Sequence, residues 1–588
     1  MMPHTRALQA RILRAAILLL FGVIVVNLLV MQVVKHDEYE SQSLENRQLR
    51  QRILAPRGRI LDRDGRLLAD NVYIADITVP NRCLGQAGPD STLDKLLTWL
   101  RLPRYETLDR LAGEQAAGRP RLTLVANAAM PQIAVIEERG RELPGVKVVT
   151  RSRRRYLDGP LFGHVIGYVG ETLPGEIGAE DDPDGYKPGD WIGRDGIEAV
   201  HEERLRGQAG YTLQEVNAVG RVVGRRDVEL RPVRSGQDVV LTLSQALQDT
   251  LGAAMGENRG CAVALALPSG EVLAAVSAPS YDPNVFTARI STKDWQALQS
   301  DPGHPFLNRL TQATYPPGSP YKIVTSLTAL QNGVANPATA FAPCGGSYQL
   351  GNRSFRCWKR EGHGGVDHTS ALIHSCDVFY YQLGLRLNLD QLAVTARLLG
   401  LGASTGSPFR GEAAGNVPDT AWYDRKFGSQ GWSRGVMLNN AIGQGELLVT
   451  PLQMAVLTGR VATGLADLSP VFVRDPAPTS SPGQRALPFG AAHLDWVRRT
   501  MRQVVDMGTG TRARVRSIEV AGKTGTAENP HGEDHAWFVC FAPAILPEVA
   551  VVVILENGGH GGAVAAPVAG RWLNAYFAQK ESPEVVAP

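Results

Sequence analysis

Between Ala15 and Val34 the chain reads AAILLLFGVIVVNLLVMQVV, a run without a charge whose polar breaks are Asn27 and Gln32. At a rise of about 1.5 Å per residue this is roughly 30 Å of helix, enough to cross a hydrocarbon core. Arg6, Arg11 and Arg14 precede it with no acid among them. The positive-inside rule then keeps the N-terminus in the cytoplasm and exports everything after Val34. A cleaved signal peptide is the competing reading, but the run is longer than a usual signal core, and KHDEYE follows it without a small-x-small cleavage site. A buried globular helix would have to hide apolar side chains on all faces at the extreme N-terminus. The expected layout is a cytoplasmic tail at 1–14, an uncleaved single-pass anchor at 15–34 in the inner membrane, and a periplasmic remainder.

With 588 residues the chain is too long for one core, and two to four domains are expected. Charged residues make up 20% and the formal net charge is +3, without the basic face of a nucleic-acid binder. An apolar content of 44% excludes wholesale disorder. After the anchor, Lys35 to Arg52 is polar and helix-prone. In RGRILDRDGRLLADN (Arg57 to Asn71), Asp64-Gly65 sits between Ile60-Leu61 and Leu67-Leu68, a short hairpin signal. From about 74 to 188 short helical and extended pieces mix with turn clusters such as EDDPDGYKPGD, read as a non-catalytic insertion in a 35–235 pedestal. Residues Gly193 to Arg234 read as a helix leading into strands, including EVNAVGRVVGRR.

Composition changes near Gly236. DVVLTLSQALQDTLGAAM reads as a buried strand and an amphipathic helix, and GCAVALALPSGEVLAAVSAPSYDP as a hairpin. VAGKTGTAE, HAWFVCFAP and EVAVVVILENGG read as successive strands, and VAGRWLNAYFAQK as a closing helix. Helices among antiparallel strands imply an α+β domain over 236–580, followed by a short tail at 581–588.

YPPGSPYKIVTSLTAL places Ser319 and Lys322 on one face at the head of an apolar helix. Pro320 suits the first helical turn and biases Ser319 toward a cap conformation. A serine there, at the positive helix end and near a lysine, has the makings of an activated nucleophile. S-x-x-K alone is a common accident, and an ordinary capped helix explains it as well. Two further elements change the balance: Ser375-Cys376-Asp377 within HSCDVFYYQLG, and Lys523-Thr524-Gly525-Thr526 on an expected strand. Gly525 lacks the Cβ that would block a substrate backbone along a strand edge. S-x-x-K, S-x-D and K-T-G-T in this order, at these wide spacings and with strands after the last, do not arise by accident.

On these motifs the chain resembles the penicillin-binding protein and serine β-lactamase superfamily, and most of all its class B branch, the penicillin-binding protein 2 subfamily of cell elongation. The resemblance extends to RGRILDRDGRLLADN, GRDGIEAVHEERLRGQAG, EVNAVGRVV, SAPSYDPNVF, NRLTQATYPPGSPYK, KREGHGGVD, NNAIGQGELLVTPLQMA and VVVILENGG. Asp377 stands where the wider superfamily usually has Asn, and Pro320 and Tyr321 also depart from the commoner residues. The resemblance implies a D,D-transpeptidase acting on peptidoglycan stem peptides that end in D-Ala-D-Ala, with β-lactams as covalent inhibitors. It implies Ser319 as nucleophile, Lys322 as general base, Ser375 and Asp377 as a proton relay, and Lys523 as a source of positive potential. Thr524 and Thr526 would bind the terminal carboxylate, and the N–H groups of Ser319 and Thr526 would form an oxyanion hole. It also implies a partner polymerase of the shape, elongation, division and sporulation family, together with other elongation-complex proteins. A β-lactamase or β-lactam sensor shares the three motifs, and a catalytically silent scaffold is the reading from another class.

Cys344, Cys357, His363 and Cys376 offer three sulfurs and an imidazole within a short stretch, the complement of a closed structural zinc site. Their spacing is not that of a zinc finger, and His304, His368 or His374 could take the place of His363. A Cys344–Cys357 disulfide and buried free thiols are the other readings in an oxidising compartment. Such a metal would pin the Cys344–His363 loop and leave the acyl-transfer chemistry cofactor-free.

Overall fold

In the computed structural model the described residues are 3–39, 48–86, 91–116, 121–179, 182, 184–215, 228–288, 290–474 and 485–581. They form two compact units.

The first unit comprises Met1–Pro56, Gly178–Gly185 and Arg206–Gly236. Its N-terminal helix spans Pro3–Leu29 and passes into one π-helical turn, Val30–Val34. The apolar segment Arg11–Val34 has a mean hydropathy of 2.8 and none of it is buried within the protein, so its side chains need lipid around them. In the polar stretch after the anchor, residues 36–39 are helical as expected, while the part from Gln48 departs from that expectation. Gln48–Ile53 is a strand, paired antiparallel from Gln48↔Glu215 to Ile53↔Gly210, and a third strand, Val228–Arg231, pairs with Gly210–Glu215. Helix propensity is a weak preference, and an open strand edge overrides it. The part of EVNAVGRVVGRR after Glu215, the residues 40–47, part of EDDPDGYKPGD and the tail 582–588 lie outside the described residues.

The second unit comprises Arg57–Ile177, Tyr186–Leu205 and Gln237–Pro588. The Asp64-Gly65 hairpin forms as expected: Ile60–Leu61 pairs antiparallel with a long strand, Leu67–Pro80. Gly65 takes φ 84, and the buried Asp62 carboxylate accepts the N–H groups of Asp64 and Arg66 at 2.8 Å each. The other Asp62 oxygen accepts the Gln245 N–H at 3.0 Å, which docks the turn on the start of helix Gln245–Met255. The long strand also pairs with Arg121–Val125 and Lys147–Tyr156, and Val239–Val240 adds in parallel to Ile60–Leu61.

The central sheet has five antiparallel strands: β1 Gly260–Ala266, β2 Val272–Ala278, β3 Ala521–Ala527, β4 His535–Ala542 and β5 Val549–Leu555, in the order β2-β1-β5-β4-β3. Alternate residues feed opposite layers, as the strand period of two requires. Trp537, Val539 and Phe541 join one core with the helix Pro451–Thr463, while Phe538 and Cys540 join another with Leu251, Trp572 and Phe577. Both faces are covered, which explains the unbroken apolar run VAVVVIL in β5. The α+β expectation therefore holds for this unit, and β3, which carries Lys523 to Thr526, lies at the sheet's edge.

Candidate active site

The chain enters the site through YPPGSPYK. Gly318, with φ 60 and ψ −146, holds the cap position, and Ser319 is the first residue of a 3-10 turn, Ser319–Tyr321, that leads into helix Lys322–Gln331. The sequence reading gave the cap to Ser319. The structure gives it to the glycine, because the left-handed φ excludes most side chains and a Cβ there would lie 2.8 Å from the Thr526 carbonyl oxygen. Ser375 lies between the helices His368–Ile373 and Asp377–Gly384 at φ 56, a conformation that non-glycine residues rarely adopt away from functional turns.

The five residues expected to carry chemistry meet at one point. Ser375 Oγ donates to Ser319 Oγ at 2.9 Å and accepts from Lys322 Nζ at 3.1 Å and Lys523 Nζ at 3.0 Å. Lys322 Nζ also donates to Asp377 Oδ1 at 2.6 Å and to the Ser375 carbonyl at 2.9 Å. Both lysines are fully buried. Burial pushes the Lys523 ammonium well below its ordinary range, and the neighbouring Lys322 pushes the same way, with Asp377 opposing. Of the two lysines, Lys322 forms the ion pair with Asp377, and among the described residues the side-chain hydrogen bond to Ser319 Oγ comes from Ser375.

Gly525 is explained by a neighbour the sequence did not suggest. A Cβ there would meet Pro320 Cδ at 2.5 Å and Trp537 Cβ at 2.9 Å, so β3 and the Ser319–Tyr321 turn touch through it. A cavity of about 800 Å³ opens beside Ser319, Ser375, Thr524 and Thr526. Sequence reasoning missed several of its features. Gln444 Nε2 donates to the Thr526 carbonyl at 3.2 Å, His560 Nδ1 lies 3.4 Å from Thr526 Oγ1, and Thr509 Oγ1 meets Thr524 Oγ1. Gln444 sits in the quoted segment NNAIGQGELL, but a lone glutamine carries no chemical signature of its own.

Cys344, Cys357, His363 and Cys376 come together beside this centre, with their ligand atoms all within 4.8 Å of one another. The Sγ atoms of Cys344 and Cys357 lie 3.7 and 3.5 Å from His363 Nδ1. Bonds of about 2.3 Å to sulfur and 2.0–2.1 Å to nitrogen put tetrahedral S···N edges near 3.6 Å, which these two sulfur–nitrogen separations match. The hydrogen bond between Cys357 and Cys376 holds the Cys357 thiol down and pushes the Cys376 thiol up. All six cysteines are free thiols here, and no Cys344–Cys357 disulfide is formed. His368 is elsewhere, hydrogen-bonded to Ser326 Oγ at 2.9 Å and stacked on Phe379, and neither His304 nor His374 belongs to the group of four. The residue after Cys357 links this cluster to the catalytic centre, because the Trp358 N–H donates to Asp377 Oδ2 at 3.0 Å.

The penicillin-binding protein transpeptidase domain matches residues 260–574, and the penicillin-binding protein dimerisation domain matches residues 52–241. The peptidoglycan D,D-transpeptidase MrdA of Acinetobacter baumannii is 34% identical over 96% of this chain and 88% of its own length. The enzyme of the same name from Escherichia coli K12 is 34% identical over 93% and 90%. Among solved structures, penicillin-binding protein 2 of Helicobacter pylori in complex with MreC is similar with a TM-score of 0.79 at 28% identity, over 91% of this chain and all of that one. Penicillin-binding protein 2 of Pseudomonas aeruginosa in complex with WCK 5153 is similar with a TM-score of 0.68 at 29% identity, over 92% of this chain and all of that one.

Proposed function

The chain belongs to the penicillin-binding protein family, in the class B branch of peptidoglycan D,D-transpeptidases, and from that membership we propose how its residues divide the reaction. Ser319 Oγ attacks the carbonyl between the two terminal D-alanines of a stem peptide. Its proton passes through Ser375 Oγ toward a lysine, with Lys322 as general base held by Asp377. The C–N bond breaks, the proton returns to the leaving D-alanine amine, and an ester on Ser319 remains. An amine of a neighbouring stem peptide then attacks that ester, closing the cross-link and restoring the serine. Lys523 contributes positive potential, Thr524 and Thr526 hold the terminal carboxylate, and the N–H groups of Ser319 and Thr526 form the oxyanion hole. A β-lactam acylates the same serine.

The observation that carries this division is the convergence of Ser319, Lys322 and Lys523 on one oxygen, Ser375 Oγ. Intact mass after reaction with a fluorescent penicillin, with the adduct mapped by peptide sequencing, is the test. We expect one adduct per chain on Ser319 and none on a folded Ser319→Ala variant. An adduct that survives in that variant moves the nucleophile elsewhere.

Four further points belong to the same reading. The chain divides into a tail at 1–14, an anchor at 15–34, a pedestal at 35–235, a transpeptidase domain at 236–580 and a closing tail. The arginines before the anchor face the cytoplasm and the site faces the periplasm. Cys344, Cys357, His363 and Cys376 would hold one zinc, whose role would be structural and outside the acyl transfer. The glycan strands come from a polymerase of the shape, elongation, division and sporulation family. This is supported by the Helicobacter relative, which was solved with MreC, and by a neighbouring structure described as a peptidoglycan synthase complex coordinating polymerization and crosslinking.

A further inference from the structure

The segment before the nucleophile and the segment after β5 are joined by a partly buried ionic knot that the reaction scheme above does not use. Glu556 follows β5 directly, and its carboxylate accepts from Tyr315 Oη at 2.7 Å, Arg309 Nε at 2.8 Å and Arg259 Nε at 3.0 Å. Arg309 is fully buried and gives further N–H groups to the carbonyls of Gly303 at 2.8 Å and His304 at 3.3 Å. The guanidinium thus has no freedom to leave, and it holds the carboxylate in turn. Charge-assisted hydrogen bonds of this kind are roughly twice as strong as neutral ones.

Tyr315 passes this rigidity to the reacting serine. Its backbone bonds in both directions with Val449 at 2.9 Å, and its ring stands edge-on to Trp537 and His535. Pro316 and Pro317 come next, with φ fixed by their rings, so little slack lies between Tyr315 and Gly318. The Pro316 carbonyl accepts Trp537 Nε1 at 3.0 Å, and the Gly318 N–H donates to the Gly443 carbonyl at 2.8 Å. Ser319 follows at once. Its place is therefore set by backbone bonds to Val449 and Gly443 and by two side-chain anchors, Trp537 Nε1 on the Pro316 carbonyl and the Tyr315 hydroxyl on Glu556, of which the second is charged.

We propose that Glu556 and Tyr315 are positioning residues for Ser319, fixing the nucleophile turn without touching substrate. The inference rests on the reading of Ser319 as nucleophile. Acyl transfer is sensitive to displacements of an ångström or less at the attacking atom, whereas binding in the cleft beside it is not. Loosening the knot therefore slows acylation and spares affinity.

The experiment measures acylation of the full chain by a fluorescent penicillin across concentrations, separating the limiting rate constant from the half-saturating concentration. Tyr315→Phe removes one hydroxyl and keeps the ring on Trp537 and the Arg309–Glu556 pair. We expect the limiting rate to fall about tenfold, the size set by one hydrogen bond to a charged group, with half-saturation unchanged within about twofold. Glu556→Gln should slow the same step, and the double variant should be no slower than Glu556→Gln alone, because both act through one contact. Should Glu556→Gln fail to fold for want of a partner for Arg309, Tyr315→Phe decides alone. A wild-type limiting rate in Tyr315→Phe, even with a lowered melting temperature, overturns the proposal and makes the knot mere core support. Wild-type protein that takes no label on Ser319 would instead overturn the nucleophile assignment, and this inference with it.

Discussion

A methyl group added at Gly525 would lie 2.5 Å from Pro320 Cδ and 2.9 Å from Trp537 Cβ, and neither neighbour is free to yield. Trp537 is fully buried and tied to the Pro316 carbonyl, while Pro320 opens the turn that carries Ser319. Gly525→Ala should therefore cost about 1–3 kcal/mol and push the nucleophile away from β3, slowing acylation by roughly ten- to a hundredfold. Melting curves and stopped-flow labelling check both halves, and a variant that acylates at the wild-type rate would refute the contact. The motif residues were legible because a hydroxyl, an amine and a carboxylate announce their chemistry. The steric partner of Gly525 was not, since Pro320 is remote in sequence. Two buried histidines give a second expectation at this scale. Burial pushes His164 down to about 4 from 6.5, with the charge of Arg309 acting the same way, and burial pushes His368 down to about 4 as well. Their folded pKa values lie below the unfolded ones, so the unfolded chain binds the proton first. The stability they contribute is complete above about pH 6.5 and declines as pH falls toward 4, by about 3 kcal/mol for each histidine. The melting temperature should fall across that window, and His164→Gln should flatten the fall. Parallel losses in variant and wild type would exclude His164 as a source.

Among elements, the unbroken apolar strands and the hairpin around Asp64-Gly65 were readable because pattern and turn chemistry are local. The strand Gln48–Ile53 was not, because a polar sequence becomes a strand only when a partner edge is present, here Gly210–Glu215. The Cys344–Cys376 segment falls between these cases. Ligand types, clustering and His363 were read from the sequence, but setting aside His368 needed the fold, which buries it against Ser326 and Phe379. The segment also braces the carboxylate proposed to orient Lys322: Asp377 receives Lys322 on one oxygen and, on the other, the N–H of Trp358, one residue beyond Cys357. A structural zinc contributes on the order of 10 kcal/mol of apparent binding energy, much of it coupled to local folding. Stripping it should loosen residues 344–363, release Asp377 from Trp358 and slow labelling of Ser319, although no ligand touches substrate. Cys357→Ser should act the same way with partial loss of metal. Elemental analysis of protein purified without chelator, thiol counting under denaturing conditions and hydrogen exchange over this segment test it together. Absence of metal with oxidised Cys344 and Cys357 would replace the zinc reading with a disulfide.

At the scale of the whole molecule, the anchor and the site are set apart in the chain's organisation. The apolar segment Arg11–Val34 belongs to one compact unit, and every residue from Ser319 to Thr526 that the reaction uses belongs to the other. The anchor's length and composition were the most legible feature of the sequence, since no partner is needed to read them. The centre of two lysines and Asp377 is assembled wholly within the second unit and buried there. Removing residues 1–34 should therefore abolish membrane association and leave the chemistry intact. The truncated protein should stay in the supernatant after ultracentrifugation without detergent. Its limiting acylation rate with a fluorescent penicillin should match that of the detergent-solubilised full chain within about twofold, because no hydrogen bond around Ser375 Oγ involves the deleted residues. A tenfold slower truncated protein would show that the anchor-bearing unit sets the geometry of the site. A truncated protein still in the membrane pellet would show that a second surface binds lipid. Should both expectations hold, any activation seen in the membrane must come from partners that reach the chain through its anchor or pedestal, and the isolated domain can serve as the unstimulated reference for measuring it.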